Sequence, residues 1–302
     1  MNKPLIVILT RNFSTGLSVI RSLGAAGYAI DVVASANAEG KSELVALSRY
    51  VQNHTEIVSE KLGGEGDGEI VEALLKYRGK CEAKPVLFPT DDYTAAVVDK
   101  NSEALGEIFV MPGIDGGRPG ELPRLMNKSV QREIAMKTGF PVAEEWVVSL
   151  REEPIEIPTG ITYPCYCKPP ESISGYKTEM ARCENREELE EHLKKLQERY
   201  SDRDFIVQEF LEIDKEIELD GLCCNQKIIV PAVSMNSVVA EHEKGVPVAG
   251  ELVPFEELGE VKDKVVELLR EFRYTGMFDM GLLAVGDKVY FNELNLRSGG
   301  PN

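Results

Sequence analysis

Val289-Tyr290-Phe291-Asn292-Glu293-Leu294-Asn295-Leu296-Arg297-Ser298-Gly299-Gly300 is the stretch on which the reading of this chain turns. Glu293, Asn295 and Arg297 alternate with apolar residues, and a strand with a side-chain period of two sends all three to one face. A carboxylate and an amide oxygen two residues apart suit a hard cation such as Mg²⁺, which takes oxygen ligands. A guanidinium beside them suits phosphate oxygens or a substrate carboxylate. The plainer alternative is the solvated polar face of an edge strand. Phe291, Leu294 and Leu296 keep it open, because any half-buried strand alternates.

Working upstream, the pattern predicts a partner strand over 276–285, turning at Gly286-Asp287, and before it a helix over 260–272. A hairpin over 217–224 and 227–233 turns at Asn225-Gln226, and 239–249, with Gly245, reads as a mobile loop. Further strands are expected over 145–148, 163–168, 179–183 and 205–210. A small-residue loop covers 169–175, and helices cover 127–138, ended by Gly139, and 186–200, capped by Asn185 with Glu and Lys at i, i+4 spacing. This half is α+β with antiparallel hairpins.

The first third differs. Strands over 5–10, 30–34 (interrupted by Asp31), 85–88 and 108–111, with a further short one marked by Val51 and Ile57-Val58, alternate with helices over 17–26, 69–77 and 93–101. Such alternation predicts βαβ units and a parallel, doubly wound sheet, the α/β class. Asn12-Phe13-Ser14-Thr15-Gly16 is not a G-x-G-x-x-G turn, which removes a dinucleotide-binding dehydrogenase from consideration. The Gly- and Pro-rich segment 112–123 reads as a domain boundary. Asp91 and Asp92 follow a strand, where open α/β sheets bind ligands; they either receive a substrate ammonium or supply a helix N-cap at Asp92.

Composition narrows the class. At 302 residues, the chain has room for about two domains. Net charge is −17 and the pI about 4.8; with no basic stripe to offset a duplex's phosphates, nucleic acid is excluded as a partner. No segment reaches the ~20 apolar residues of a membrane helix. Leu5–Leu9 reads as a first strand and not a signal peptide, so a cytoplasmic protein is expected. The six cysteines include no C-x-x-C and only three histidines accompany them, so small buried thiols are expected in place of a zinc site.

The string Asn292-Glu293-Leu294-Asn295-Leu296-Arg297 resembles the E-x-N-x-R signature that closes the nucleotide site of the ATP-grasp family, which includes carbamoyl-phosphate synthetase, D-alanine ligase, biotin carboxylase and glycinamide ribonucleotide synthetase. Three more segments stand in the family's order between residue 124 and the C-terminus. Met126-Asn127-Lys128, with Gly139-Phe140-Pro141, resembles the D-K…G-I-P segment whose Lys reaches an ATP phosphate, with Asn127 in place of Asp. Cys165-Tyr166-Cys167-Lys168-Pro169-Pro170 resembles the K-P strand. The loop after it, which would cover phosphates with Ser174 and Gly175, carries less glycine than the family's. Val207-Gln208-Glu209-Phe210-Leu211, then Glu216, resembles the hinge that reads adenine and takes the ribose hydroxyls.

The resemblance implies an α/β N-terminal domain over 1–120 and an ATP-grasp fold of two subdomains, a lid over 121–211 and a C-terminal part over 212–302. It implies ATP and Mg²⁺, with Mn²⁺ as a substitute, as cofactors. Lys128, Lys168, Ser174, Gly175, Gln208, Glu209, Phe210, Leu211 and Glu216 would bind nucleotide; Glu293, Asn295 and Asp279 would hold metal; Lys168 and Arg297 would serve catalysis. Two departures stand out. The family's second acid lies five residues after a Gly, and counting from Gly276 reaches Gly281, with Asp279 two residues earlier on the same face. The chain also stops at Asn302, where the family continues, which implies a truncated C-terminus. The expected reaction is ATP-dependent joining of a carboxylate, such as an amino acid, to an amine through an acyl phosphate, with 239–250 closing over the site. An enzyme resembling glycinamide ribonucleotide synthetase or a carboxylase is the second reading, and a non-catalytic ATP-binding regulator, favoured by Gly281, the third. Small molecules are the expected partners, with a homodimer left open.

Overall fold

The computed structural model describes residues 3–11, 13–35, 42–57, 67–170, 179–239 and 247–299. The first third folds into strands and helices β1 (Ile6–Thr10), α1 (Phe13–Ala25), β2 (Ile30–Ser35), β3 (Val51–Ile57), α2 (Asp67–Leu75), β4 (Val86–Pro89), α3 (Asp92–Lys100) and α4 (Ser102–Gly106). The sheet has the order β3-β2-β1-β4, and every neighbouring pair is parallel. Every residue of β1 is buried, as a strand covered on both faces requires. Its alternation feeds two cores: Ile6 and Ile8 pack with Ile20 of α1, while Val7 and Leu9 pack with Leu74 of α2 and Val97 and Val98 of α3. Asp31, the polar interruption in β2, is buried but satisfied, accepting from Tyr77 Oη at 3.1 Å and Asn53 Nδ2 at 3.0 Å. The strand expected over 108–111 is reduced to one bridge, Val86 to Val110; Pro112 follows, and a proline cannot donate to a ladder.

The chain continues through β5 (Gly113–Ile114), α5 (Glu121–Leu125) and α6 (Lys128–Lys137). Asp99 Oδ2 accepts the N–H groups of Gly120 at 2.8 Å and Leu122 at 3.1 Å, tying α3 to the start of α5. Strands β6 (Glu145–Ser149), β7 (Cys165–Lys168), β8 (Ala181–Cys183), helix α7 (Arg186–Tyr200) and β9 (Asp204–Glu209) follow. They build an antiparallel sheet of order β6-β9-β7-β8. Asn185 caps α7 through the Glu188 N–H, and Leu189, Leu193 and Leu196 recur at helical spacing to bury one stripe against the sheet. Each such leucine contributes roughly 1.5–3 kcal/mol by leaving water. Cys165, Cys167 and Cys183 lie in this core as free thiols.

The last part holds β10 (Lys215–Cys224), β11 (Lys227–Ile229), β12 (Val233–Val239), β13 (Pro247–Val253), α8 (Glu260–Glu271), β14 (Tyr274–Val285) and β15 (Lys288–Asn295). The path is β13-β12-β10-β14-β15, with β11 on β10 and β5 on β14. The β10–β11 turn has Asn225 and Gln226 at φ 48 and 63, the left-handed pair that a two-residue hairpin demands. The loop expected over 239–249 is corrected at its ends, where β12 runs to Val239 and β13 starts at Pro247; 240–246 lie outside the described residues. Helices α6 and α8 share one core with the inner face of this sheet, where Ala135, Leu268 and Leu269 meet Leu219, Met280, Leu282 and Leu294.

Candidate functional site

The geometry begins with the ladder between β14 and β15. Asp279 stands opposite Asn295 and Gly281 opposite Glu293, and Leu282 then pairs with Phe291, leaving Asn292 as the extra residue of a bulge. Beyond the bulge Leu294 and Leu296 are buried, so Glu293, Asn295 and Arg297 turn to the opposite face, as their alternation requires. On β10, Glu218 stands opposite Gly281 and Asp220 opposite Asp279. Cross-strand partners share a face, so Glu216, Glu218, Asp220, Asp279, Glu293 and Asn295 form one polar face over a fully apolar one.

Asn295 Nδ2 donates to Asp279 Oδ2 at 3.2 Å and to Glu293 Oε1 at 3.4 Å. The acid beside the acid–amide pair is therefore Asp279. Gly281, reached by counting from Gly276, stands opposite Glu293 with no side chain to offer, and Asp279, two residues earlier on the same face, makes the contact with Asn295. Arg297 follows. Its Nε donates to Asp92 Oδ1 at 3.1 Å, and its Nη1 to Asp279 Oδ2 at 2.9 Å and to the Ser298 carbonyl at 3.0 Å. Burial pushes the Asp92 and Asp279 carboxyls above their ordinary values while Arg297 pulls them back. Burial would lower Arg297, but the two carboxylates outweigh it and leave the guanidinium above its ordinary value. The expected N-cap at Asp92 is corrected. Asp91 caps α3, accepting from the Thr94 N–H at 2.9 Å, which frees Asp92, in the first turn, for Arg297.

Lys128 opens α6 because Asn127 caps it, accepting from the N–H groups of Ser129 at 3.0 Å and Val130 at 3.3 Å. Lys168 ends β7 at 6% exposure and donates to Gln208 Oε1 at 3.0 Å. Burial first, then the charge of Lys128, push its ammonium down to about 8, against the opposing pull of Glu145 and Glu293. A narrow cleft is lined by Asp92, Met126, Lys128, Gln131, Glu293, Leu294 and Asn295.

The hinge residues divide. Gln208 joins the site through Lys168, but Glu209 Oε1 accepts the Glu144 N–H at 2.8 Å, fastening β9 to the chain entering β6. The Phe210 N–H donates to the Pro164 carbonyl at 3.3 Å and its ring lies under the Arg182 guanidinium, 4.1 Å away; Leu211 is half-buried just beyond. Glu216 sits opposite Asn236 and Leu283, on the polar face. Ser174 and Gly175 lie outside the described residues, as do 240–246 of the segment expected to close over the site.

Sequence reasoning missed Gln131. Buried at 2% exposure, it donates to the carbonyls of Leu125 at 3.0 Å and Leu294 at 2.6 Å, and accepts the Leu294 N–H at 3.0 Å. It sutures the helix that carries Lys128 to the strand that carries Glu293 and Asn295. No local signal marks a glutamine for that task. Asp220 was missed as well, although the alternation of Glu216, Glu218 and Asp220 along β10 is a signal that marks it.

Asp279, Glu293 and Asn295 offer the oxygen donors a hard cation takes. Among the described residues no three His, Cys, Asp or Glu side chains cluster in a ligand set, so a cation here would complete its shell from phosphate oxygens and water, the habit of Mg²⁺. The donor set fits that ion.

A family model described as the carbamoyl-phosphate synthase L chain, ATP binding domain, matches residues 127–298. The chain is 26% identical over 208 residues to the carbamoyl phosphate synthase large chain of Agathobacter rectalis, a match that covers 66% of this chain and 18% of that one. Among solved structures it resembles the L-amino acid ligase of Bacillus licheniformis, with a TM-score of 0.69 at 15% identity over 99% of this chain and 68% of that one. It also resembles the biotin carboxylase domain of Hydrogenobacter thermophilus 2-oxoglutarate carboxylase in complex with MgADP, ADP and bicarbonate. There the TM-score is 0.70 at 17% identity, covering 99% of this chain and 65% of that one. These structural likenesses establish a shared fold.

Proposed function

The chain belongs to the family of the carbamoyl-phosphate synthase L chain ATP-binding domain, and from that premise we propose that it is an ATP-dependent carboxylate–amine ligase. One observation carries the reading. The Lys168 ammonium is buried and donates to the Gln208 amide oxygen, and the charge of Lys128 disfavours its protonated form against the opposing pull of Glu145 and Glu293. A buried cation whose hydrogen bond goes to a neutral amide is expensive, and a triphosphate would relieve that cost.

In this reading Glu293, Asn295 and Asp279 would hold Mg²⁺, which would supply charge neutralisation between the β- and γ-phosphates when bound. Lys128 and Lys168 bind phosphate oxygens, and Arg297 meets the migrating phosphoryl group or the attacking carboxylate. Phosphoryl transfer gives an acyl phosphate, and the amine then displaces phosphate to form the amide. The protein contributes position and electrostatics more than covalent chemistry. Gln208, Glu209, Phe210, Leu211 and Glu216 are read as the adenine and ribose side, and Ser174 and Gly175 as part of the phosphate-covering loop. Residues 1–120 are read as the acceptor-side domain, 121–211 as the lid and 212–302 as the metal-bearing subdomain, in a cytoplasmic protein. An amino acid as substrate draws support from the Bacillus licheniformis likeness, and bicarbonate as a carboxylate from the carboxylase one.

Screening amino acids, bicarbonate and small carboxylates against amines for release of ADP and phosphate tests this. Release that requires both a carboxylate and an amine is the expected result. Nucleotide binding with no turnover under any pair would replace the ligase with an ATP-binding regulator.

A further inference from the structure

Arg297 joins two parts of the molecule that the sequence keeps far apart. A guanidinium has five N–H donors in a fixed plane. One, on Nε, goes to Asp92 at the start of α3. The two on Nη1 go to Asp279 on β14 and to the Ser298 carbonyl. The two on Nη2 have no partner among the described residues, and the neighbouring Ser298 hydroxyl, at 6% exposure, is also unpartnered. Three donors are thus left over at the end of the signature strand, one hydrogen bond away from the Asp279–Asn295–Glu293 set.

Asp279 alone would leave the guanidinium free to swing about the Nη1 contact. The second anchor fixes its plane, because bonds at Nε and Nη1 constrain a rigid group at two points. That anchor comes from the parallel-sheet part of the chain, and Asp91 makes it available by taking the helix cap itself.

We propose that Asp92 is a positioning residue for phosphoryl transfer: it holds Arg297 so that the N–H groups of Nη2 donate to an oxygen of the γ-phosphoryl group. The inference rests on the ligase reading above, and deepens it by giving the N-terminal sheet a part in the transfer step. Asp92 does not touch the reacting atoms; it acts through Arg297.

The test compares binding of MgADP with that of a non-hydrolysable MgATP analogue, Mg-AMPPCP, by calorimetry on the full chain. The variants are Asp92→Ala, Asp92→Asn, Arg297→Ala and the double variant Asp92→Ala/Arg297→Ala. Asp92→Ala is expected to cut the preference for Mg-AMPPCP over MgADP by ~10-fold, the size of one charged hydrogen bond. Asp92→Asn, which keeps an acceptor for Nε, restores most of it. In the Arg297→Ala background, removing Asp92 changes the preference no further, as expected of two residues acting in series. A loss that is the same with and without Arg297, or that strikes both nucleotides equally, would mean that Asp92 only supports the fold and would overturn the proposal. An unchanged preference in Asp92→Ala would overturn it too. Wild-type protein that binds neither nucleotide would sink the nucleotide-site reading itself, a different result from any of these.

Discussion

Lys168 is held in the fold at a cost in free energy. Its ammonium titrates near 8, against an ordinary 10.5, so the folded chain binds that proton more weakly than the unfolded one. The burial penalty is therefore full below pH 8 and is relieved as pH climbs from about 8 towards 10.5. A bound polyphosphate reverses the shift by favouring the charged form. Binding of MgATP at pH 8 should then take up ~0.5 proton, read from calorimetry in buffers of different ionisation enthalpy. Lys168→Ala should abolish the uptake and weaken MgATP sharply; unchanged affinity would remove Lys168 from the site. Asp220 runs with the opposite sign. Burial and the charge of Asp279 raise it to about 6 from 3.8, against the pull of the Gly299 N–H, so the folded state holds this proton more tightly. The ionised form is penalised above pH 6, and the penalty fades as pH falls from 6 to 4. Asp220→Asn in EDTA should raise the melting temperature at pH 7.5 and lose that gain by pH 4.5; a gain that persists at low pH would point to another cause. The types of these residues were readable from the chain. Their environments were not, because desolvation depends on what packs around a side chain.

Among elements, α6 and β15 depend on Gln131. Gln131→Leu leaves the Leu294 N–H and carbonyl without their buried partner, each unmade bond costing about 1–3 kcal/mol. We expect a loss of about 2–4 kcal/mol in urea unfolding, together with weaker MgATP binding; a loss under 1 kcal/mol would mean that the suture is unimportant. Element legibility followed periodicity. Helix α7, with its Asn cap and leucine stripe, was predicted to its boundaries over 186–200. Strand β13 was missed because 239–249 was read as a loop around Gly245; within the strand Gly250 allows close packing, since a Cβ would lie 2.5 Å from Asn236 Oδ1. The β14–β15 bulge was equally invisible, since the extra residue, Asn292, is defined only by what it fails to pair with.

At the scale of the whole molecule, a net charge of −17 means that any anionic ligand has to be drawn by local positive charge. None of the described helices is long and apolar enough to cross a membrane. MgATP at 100 times its Kd should stabilise the fold by about 2.7 kcal/mol, seen as a rise in melting temperature. Chelating the metal with EDTA should remove most of that rise; a shift indifferent to EDTA would argue against Glu293, Asn295 and Asp279 as a cation site. The sequence by itself determined the parallel sheet of the first third, the antiparallel character of the rest and the identity of most candidate side chains, because strand and helix periods and short motifs are local properties. Tertiary structure decided that Asp279 pairs with Asn295 while Gly281 faces Glu293, that Asp92 reaches Arg297 across 205 positions of chain, and that Gln131 binds helix to strand. Those are matters of register and long-range packing, and they exist only once strands distant in sequence are laid side by side.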